Sequence, residues 1–188
     1  MLINNDTIIK DDNPLMREKS KSVKLPLSKE DRDLLMDMFN YVKDSINPEI
    51  AEEKNLRPAV GISAIQVGVP KRMAAVRLVD IDKNDNEIIH EYCLVNPKII
   101  SSSVQKAYLK SGEGCLSVLD EHEGYVVRNA RITVESYDAL QDKFIKIRAR
   151  GYLAIVLQHE LDHFEGKLFY DRINKENPFE EIKNALII

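Results

Sequence analysis

His159 and His163 stand four residues apart in the stretch QHELDH (residues 158–163), with Glu160 between them. On a helix that spacing projects both imidazoles from one face, where two nitrogens can hold one metal ion. Glu160 then flanks the pair, placed to act as general base on a metal-bound water without being a ligand. Two imidazoles leave such a site one protein ligand short, because a catalytic ion commonly takes three and keeps a fourth position open. The chain beyond His163 contains no further histidine, which leaves Glu165, Asp171 and Glu176 as carboxylate candidates downstream. Upstream, Cys115 in the glycine-bearing stretch GEGCLSV completes a Cys/His/His set. Cys93 lies in an apolar strand pattern and reads as a structural thiol. His90 and His122 read as strand or surface histidines.

These residues need elements to position them. YLAIVLQHELDHFEG (152–166) reads as a helix stopped at Gly166, with Tyr152, Ile155 and Val156 extending the histidine face as an apolar one. Residues 27–46 read as an amphipathic helix capped by Ser28, with Asp31 at the capping-box position. Leu34, Leu35, Met38, Val42 and Ile46 share its apolar face. Asn47-Pro48 then makes a turn before a short polar segment. AVGISAIQVGVP (59–70) reads as irregular backbone packed close to a neighbour. Three strands follow at 72–79, 88–97 and 98–109, the first two separated by the polar turn DIDKNDNE (80–87). Residues 125–138 and 143–150 make an antiparallel pair. The order helix, strands, helix predicts an α+β fold.

Bulk properties narrow the function classes. A chain of 188 residues fits one domain, 1–188, and its 44% apolar content suffices to close a core. The net charge of −4 argues against broad adhesion to nucleic acid or membrane, so neither specific DNA binding nor a membrane is expected. The basic run REKSKSVK (17–24) reads as solvated surface. No apolar core follows a basic start at the N-terminus, so the expected location is the cytoplasm, with both cysteines free.

Three separated motifs turn this chemistry into a resemblance. AVGISAIQ (59–66), EGCLS (113–117) and QHELDH (158–163) resemble the peptide deformylase motifs G-h-G-h-(A/S)-A-x-Q (h apolar), E-G-C-(L/F)-S and Q-H-E-x-D-H, in that order. Ala59 departs from the usual glycine, and Ile65 replaces a common proline. If that glycine has positive φ, alanine costs about 1 kcal/mol there. The stretches LVNPKI and RGYLAIVLQHE and the apolar end EIKNALII resemble the form typical of Gram-positive bacteria.

The resemblance implies antiparallel β-sheets packed around a central helix carrying H-E-x-x-H, with an N-terminal helix. It implies removal of the formyl group from the N-terminal formylmethionine of nascent polypeptides, releasing formate. Cys115, His159 and His163 would be the ligands, and a metal-bound hydroxide the nucleophile. Glu160 would serve as general base and then acid, with the Gln66 amide and the Leu116 N–H as oxyanion donors. Gly61 lets the backbone approach the peptide, while Val60, Leu116, Tyr152, Ile155 and Val156 would line a slot for the methionine side chain. Ligand softness alone suits zinc. The resemblance instead implies one Fe2+ per chain, replaceable by Ni2+, Co2+ or Zn2+. No basic arm marks a strong ribosome anchor, and a transient ribosome contact stays open. A metalloprotease drawing on a downstream carboxylate, or a binding module with a closed four-ligand metal shell, are the competing readings.

Overall fold

The computed structural model describes residues 1–81 and 84–188. Ser28 starts the first long helix, α1 (Lys29–Asp44), by accepting the Asp31 N–H on its Oγ at 3.1 Å. The Asp31 carboxylate meets Lys71. Leu34, Leu35, Met38 and Val42 are buried as their spacing requires, but Ile46 lies past the helix end and is exposed. Residues 48–53 form a short helix rather than a polar loop, α2 (Pro48–Glu53). The Asn47 side chain accepts from the N–H groups of Glu49 and Ile50. Pro48 sits in the first turn, where its missing N–H costs nothing.

The stretch read as irregular contains a strand, β1 (Gly61–Ser63), followed by a 3-10 turn at Ala64–Val67 that ends on Gly68 at φ +85°. Next come β2 (Met73–Ile81) and β3 (Glu87–Ser102). The polar turn expected between them includes residues 82 and 83, which lie outside the described residues. β3 absorbs what the sequence divides into two strands at Asn96-Pro97. A proline cannot donate to a ladder. Here the register against the next long strand shifts between Val95 and Lys98, so Pro97 falls in an irregularity. Asn96 adopts φ +50°, and its side chain both accepts from the Val23 N–H and donates to the Val23 carbonyl, each at 2.8 Å. β4 (Lys106–Tyr108), β5 (Arg128–Asn129), β6 (Arg131–Asp138) and β7 (Lys143–Arg150) follow, then α3 (Gly151–His163) and β8 (Leu186–Ile187). β6 and β7 form the expected antiparallel pair.

One sheet has the order β1-β2-β3-β6-β7 and is antiparallel throughout; the other has the order β5-β4-β8, in which the apolar C-terminal end pairs parallel to β4. β2 shows how the first sheet is packed. Met73 and Ala75 point into the cluster with Leu35, Met38 and Val42 of α1. Val76 and Leu78 point the other way, against Leu153, Ala154, Val156 and Leu157 of α3. The two-residue period of the strand thus puts α1 on one face and α3 on the other. α3 also meets β4 and β5, so it lies centrally between the sheets. Among the described residues no helix is long and apolar enough to cross a membrane.

The end of α3 is fixed by Gly166 at φ +65°, with the Lys167 N–H returning to the Asp162 carbonyl at 3.0 Å. A Cβ at Gly166 would also collide with the Arg17 carbonyl. Gly166→Ala is therefore expected to destabilise the fold by about 1–3 kcal/mol, read from urea unfolding. An unchanged midpoint would contradict this account of the helix stop.

Candidate metal centre and active site

α3 presents His159 and His163 side by side, their ring centroids 5.0 Å apart. Cys115 comes from the loop before β5, and its Sγ lies 3.5 Å from His163 Nε2. One donor atom from each of Cys115, His159 and His163 falls within 4.8 Å of the others. The sequence-derived ligand set is thus brought together in space. The competing ligands are not: Glu165 pairs with Arg72, Asp171 with Arg17, and Glu176 is exposed. His90 lies beside Tyr92, and His122 stacks on Tyr170 at 4.2 Å between centroids.

The donor chemistry fits a cation. Burial alone would raise the Cys115 thiol, but His163 and His159 bring it well below its usual range, towards the thiolate a metal requires. His159 Nδ1 is held by Glu113 Oε2 at 2.8 Å, which leaves Nε2 as its ligand atom. Phe169 stacks over the same ring, 6.3 Å between centroids and 16° from parallel. His163 Nδ1 is buried without a hydrogen-bond partner among the described residues.

Glu113 is the hinge of a buried ionic chain that sequence reasoning missed. Arg128 grips it with two nitrogens, Nε at 2.5 Å and Nη2 at 2.7 Å, and reaches Asp162 through Nη1 at 2.9 Å. Arg172 closes the far end on both oxygens of Asp162. Burial pushes the Glu113 carboxyl upward, yet Arg128 and His159 hold it below its ordinary value. Asp162 is likewise kept low by Arg172 and Arg128 against burial. Glu113 stands inside a recognisable motif, but no local pattern marks Arg128 as its partner.

Glu160 is 4% exposed, and burial raises its carboxyl above the usual range against the pull of His159 and His163. Ser63 Oγ donates to its Oε2 at 2.7 Å. Its Oε1 faces Gly61 so closely that a Cβ there would stand 2.5 Å away. Ser63, a mere variant in the motif, is therefore the anchor of this side chain. Gln66 Oε1 accepts the Ser63 N–H at 2.8 Å, which turns Nε2 towards Ser117 Oγ at 3.1 Å and Cys115 Sγ at 3.4 Å. A cleft of about 410 Å³ opens onto these groups. Val60, Gly61, Leu116, Tyr152, Ile155 and Val156 all line it, and the exposed Ile46 sits on its wall.

The family model for polypeptide deformylase matches residues 5–179. The chain belongs to the polypeptide deformylase family. A peptide deformylase 2 of Bacillus subtilis is 47% identical over 187 residues, covering 100% of this chain and 99% of the relative. A peptide deformylase of Streptococcus pyogenes is 48% identical over 192 residues, covering 100% and 94%. These relatives are of the Gram-positive form that the flanking stretches resemble. Among solved structures, the Ehrlichia chaffeensis deformylase in complex with actinonin superposes with a TM-score of 0.70 at 31% identity, covering 95% of this chain and 92% of that one. The Met-Ala-Ser-bound class I type b deformylase of Acinetobacter baumannii gives 0.69 at 28% identity, covering 92% and 100%. Ala59 is not among the residues with positive φ, so its departure from the usual glycine carries no backbone strain.

Arg128→Met would leave Glu113 and Asp162 facing one another in the interior. It is expected to cost about 3–5 kcal/mol in urea unfolding and to weaken metal retention during dialysis. Wild-type stability and retention would contradict the assigned role of this chain. Cys115→Ser is expected to lower metal content measured by elemental analysis, whereas retention at the parent level would remove Cys115 from the ligand set.

Proposed function

We propose that residues 1–188 act as one catalytic domain that hydrolyses the formyl–amide bond of N-formylmethionyl polypeptides and releases formate. The observation that carries this reading is the convergence of Cys115, His159, the buried Glu160 and the Gln66 amide on a single cleft, with His163 Nε2 3.5 Å from Cys115 Sγ to complete the donor set. Family membership and the Met-Ala-Ser ligand of the Acinetobacter enzyme support the same substrate class.

Cys115, His159 and His163 would hold the metal, and a bound divalent ion supplies Lewis acidity that activates water and polarises the formyl oxygen. The residues of the chain do the rest. Glu160, with Oε2 fixed by Ser63, takes the proton of the attacking water on Oε1 and passes it to the leaving amine. A carboxyl raised by burial suits both halves of that task. Negative charge developing on the formyl oxygen is met by Gln66 Nε2 and by the Leu116 N–H. Gly61 keeps space open beside Glu160 Oε1.

β1 ends the order of its sheet, so its outer edge is available to an extended peptide as an added strand. The apolar surfaces of Val60, Leu116, Tyr152, Ile155 and Val156 would receive the unbranched methionine side chain. The proposed physiological ion is Fe2+, with Ni2+, Co2+ or Zn2+ as substitutes. The proposed partners are nascent chains, met in the cytoplasm with at most a transient ribosome contact.

The test is formate release from formyl-Met-Ala-Ser by anaerobically purified protein of measured metal content. Glu160→Ala is expected to keep its metal and lose about 100-fold or more in kcat. Gly61→Ala, which pushes on Oε1 without requiring a forbidden φ, is expected to keep its metal and lose at least about tenfold in kcat. A fully Fe2+- or Ni2+-loaded parent that releases no formate would sink the proposal.

A further inference from the structure

Residues 9–11 belong to no helix or strand, yet they make three bonds to the segments that supply the oxyanion donors. The Ile9 N–H donates to the Gln66 carbonyl at 2.8 Å, and the Asp11 N–H donates to the Ser117 carbonyl at 2.9 Å. Between them, Lys10 Nζ donates to the Leu116 carbonyl at 3.0 Å. One short stretch of chain therefore touches both the Gln66 turn and the Leu116–Ser117 backbone. The two segments also meet directly, through Gln66 Nε2 and Ser117 Oγ at 3.1 Å.

The clip is itself anchored. The Asp11 carboxylate accepts from the Tyr170 hydroxyl at 3.0 Å, and the Ile9 side chain packs against the cluster containing Ile65, Cys115 and Val118. Two of its three bonds use backbone N–H groups that almost any residue supplies. The third needs a long cationic side chain. A charged donor makes a stronger bond than a neutral one, and Lys10 is only partly exposed, so water competes less for its ammonium group. A second cation works on the same turn: Arg57 Nη1 donates to the Val118 carbonyl at 3.1 Å. Two like charges repel, so their convergence on carbonyls two residues apart has to be offset by the bonds they make. Meanwhile the Leu116 N–H donates to no protein acceptor among the described residues, so it is free to face a reacting oxygen.

From these contacts we infer that Lys10 is a positioning residue for the oxyanion hole: by fixing the Leu116 carbonyl it holds the turn that the Val118 N–H closes on the Cys115 carbonyl at 3.2 Å, and the Cys115–Leu116 peptide of that turn carries the Leu116 N–H towards Gln66 Nε2. The inference rests on the deformylase reading, in which those two groups stabilise the oxyanion. Donors preorganised in this way act on the transition state more than on the bound substrate, so their misplacement lowers kcat and spares KM.

The experiment compares the metal-loaded full-length parent with Lys10→Met, which keeps the stem and removes the charge, and Lys10→Arg, which restores a cationic donor. Formate release from formyl-Met-Ala-Ser is measured at matched metal content, together with amide hydrogen exchange across residues 115–118. Lys10→Met is expected to lower kcat about tenfold with KM within about twofold, and to speed exchange at Val118, whose N–H closes the turn on the Cys115 carbonyl. Lys10→Arg is expected to recover most of both. A kcat for Lys10→Met equal to the parent's, exchange unchanged at the Val118 amide, or an Arg variant no better than Met would each overturn the inference. If Lys10→Met does not fold, Lys10→Gln takes its place under the same criteria. A parent that is fully loaded but inactive would defeat the deformylase reading instead, and the exchange comparison would still decide whether Lys10 holds the turn.

Discussion

A single buried guanidinium organises this molecule. The Arg128 side chain has no solvent exposure, and it stands between the Glu113 and Asp162 carboxylates. Three charges so placed cost a great deal of hydration, which is recovered only when every one of them is fully bonded. Here every nitrogen of Arg128 is bonded: Nε and Nη2 grip Glu113 and Nη1 reaches Asp162, which takes Arg172 as well, while Glu113 Oε2 is shared between Arg128 and His159 Nδ1. The chain of charges joins the loop that carries Cys115, the two-residue strand β5, the helix α3 and the segment after it. Each of these must be in place for the others to be satisfied.

The consequence for chemistry is directional. With Nδ1 of His159 committed to Glu113, Nε2 is left for a metal ion held with Cys115 and His163, so the tautomer of one proposed ligand is settled by a charge network several residues deep. A second set of contacts governs the carboxylate of Glu160. Ser63 anchors one oxygen and Gly61 leaves room for the other, so the strand that flanks the cleft also aims the Glu160 carboxylate. The same strand turns immediately into Gln66, whose amide is oriented by the Ser63 N–H. Thus the Gln66 amide and the Glu160 carboxylate are both placed by two residues, Gly61 and Ser63, of one short edge strand. This explains why a small, glycine-bearing stretch must be so restricted in side-chain size.

What could be read from sequence follows the range of the interactions. α1 and α3 are legible because caps and 3.6-residue periodicity are local, and Cys115 with the two histidines is legible because ligand chemistry restricts residue type. The break at Asn96-Pro97 misleads: proline argues for a strand end, and only the irregular register and the Asn96–Val23 bonds show why β3 continues. α2 is hidden by its polar composition, although Asn47-Pro48 is a helix-start signal. Arg128 is not legible at all. It lies in an apolar strand pattern, and its value comes from partners 15 and 34 residues away. Ser63 and Lys10 escape for the same reason, since their contacts span 97 and 106 residues.

The most direct test of this account is X-ray absorption on the zinc-loaded protein, which reads the ligand shell without relying on turnover. The prediction is one sulfur at about 2.3 Å and two imidazole nitrogens at about 2.0–2.1 Å, completed by a light oxygen atom from solvent. A shell with no sulfur, or one closed by four protein ligands, would contradict an open Cys115/His159/His163 centre built for hydrolysis.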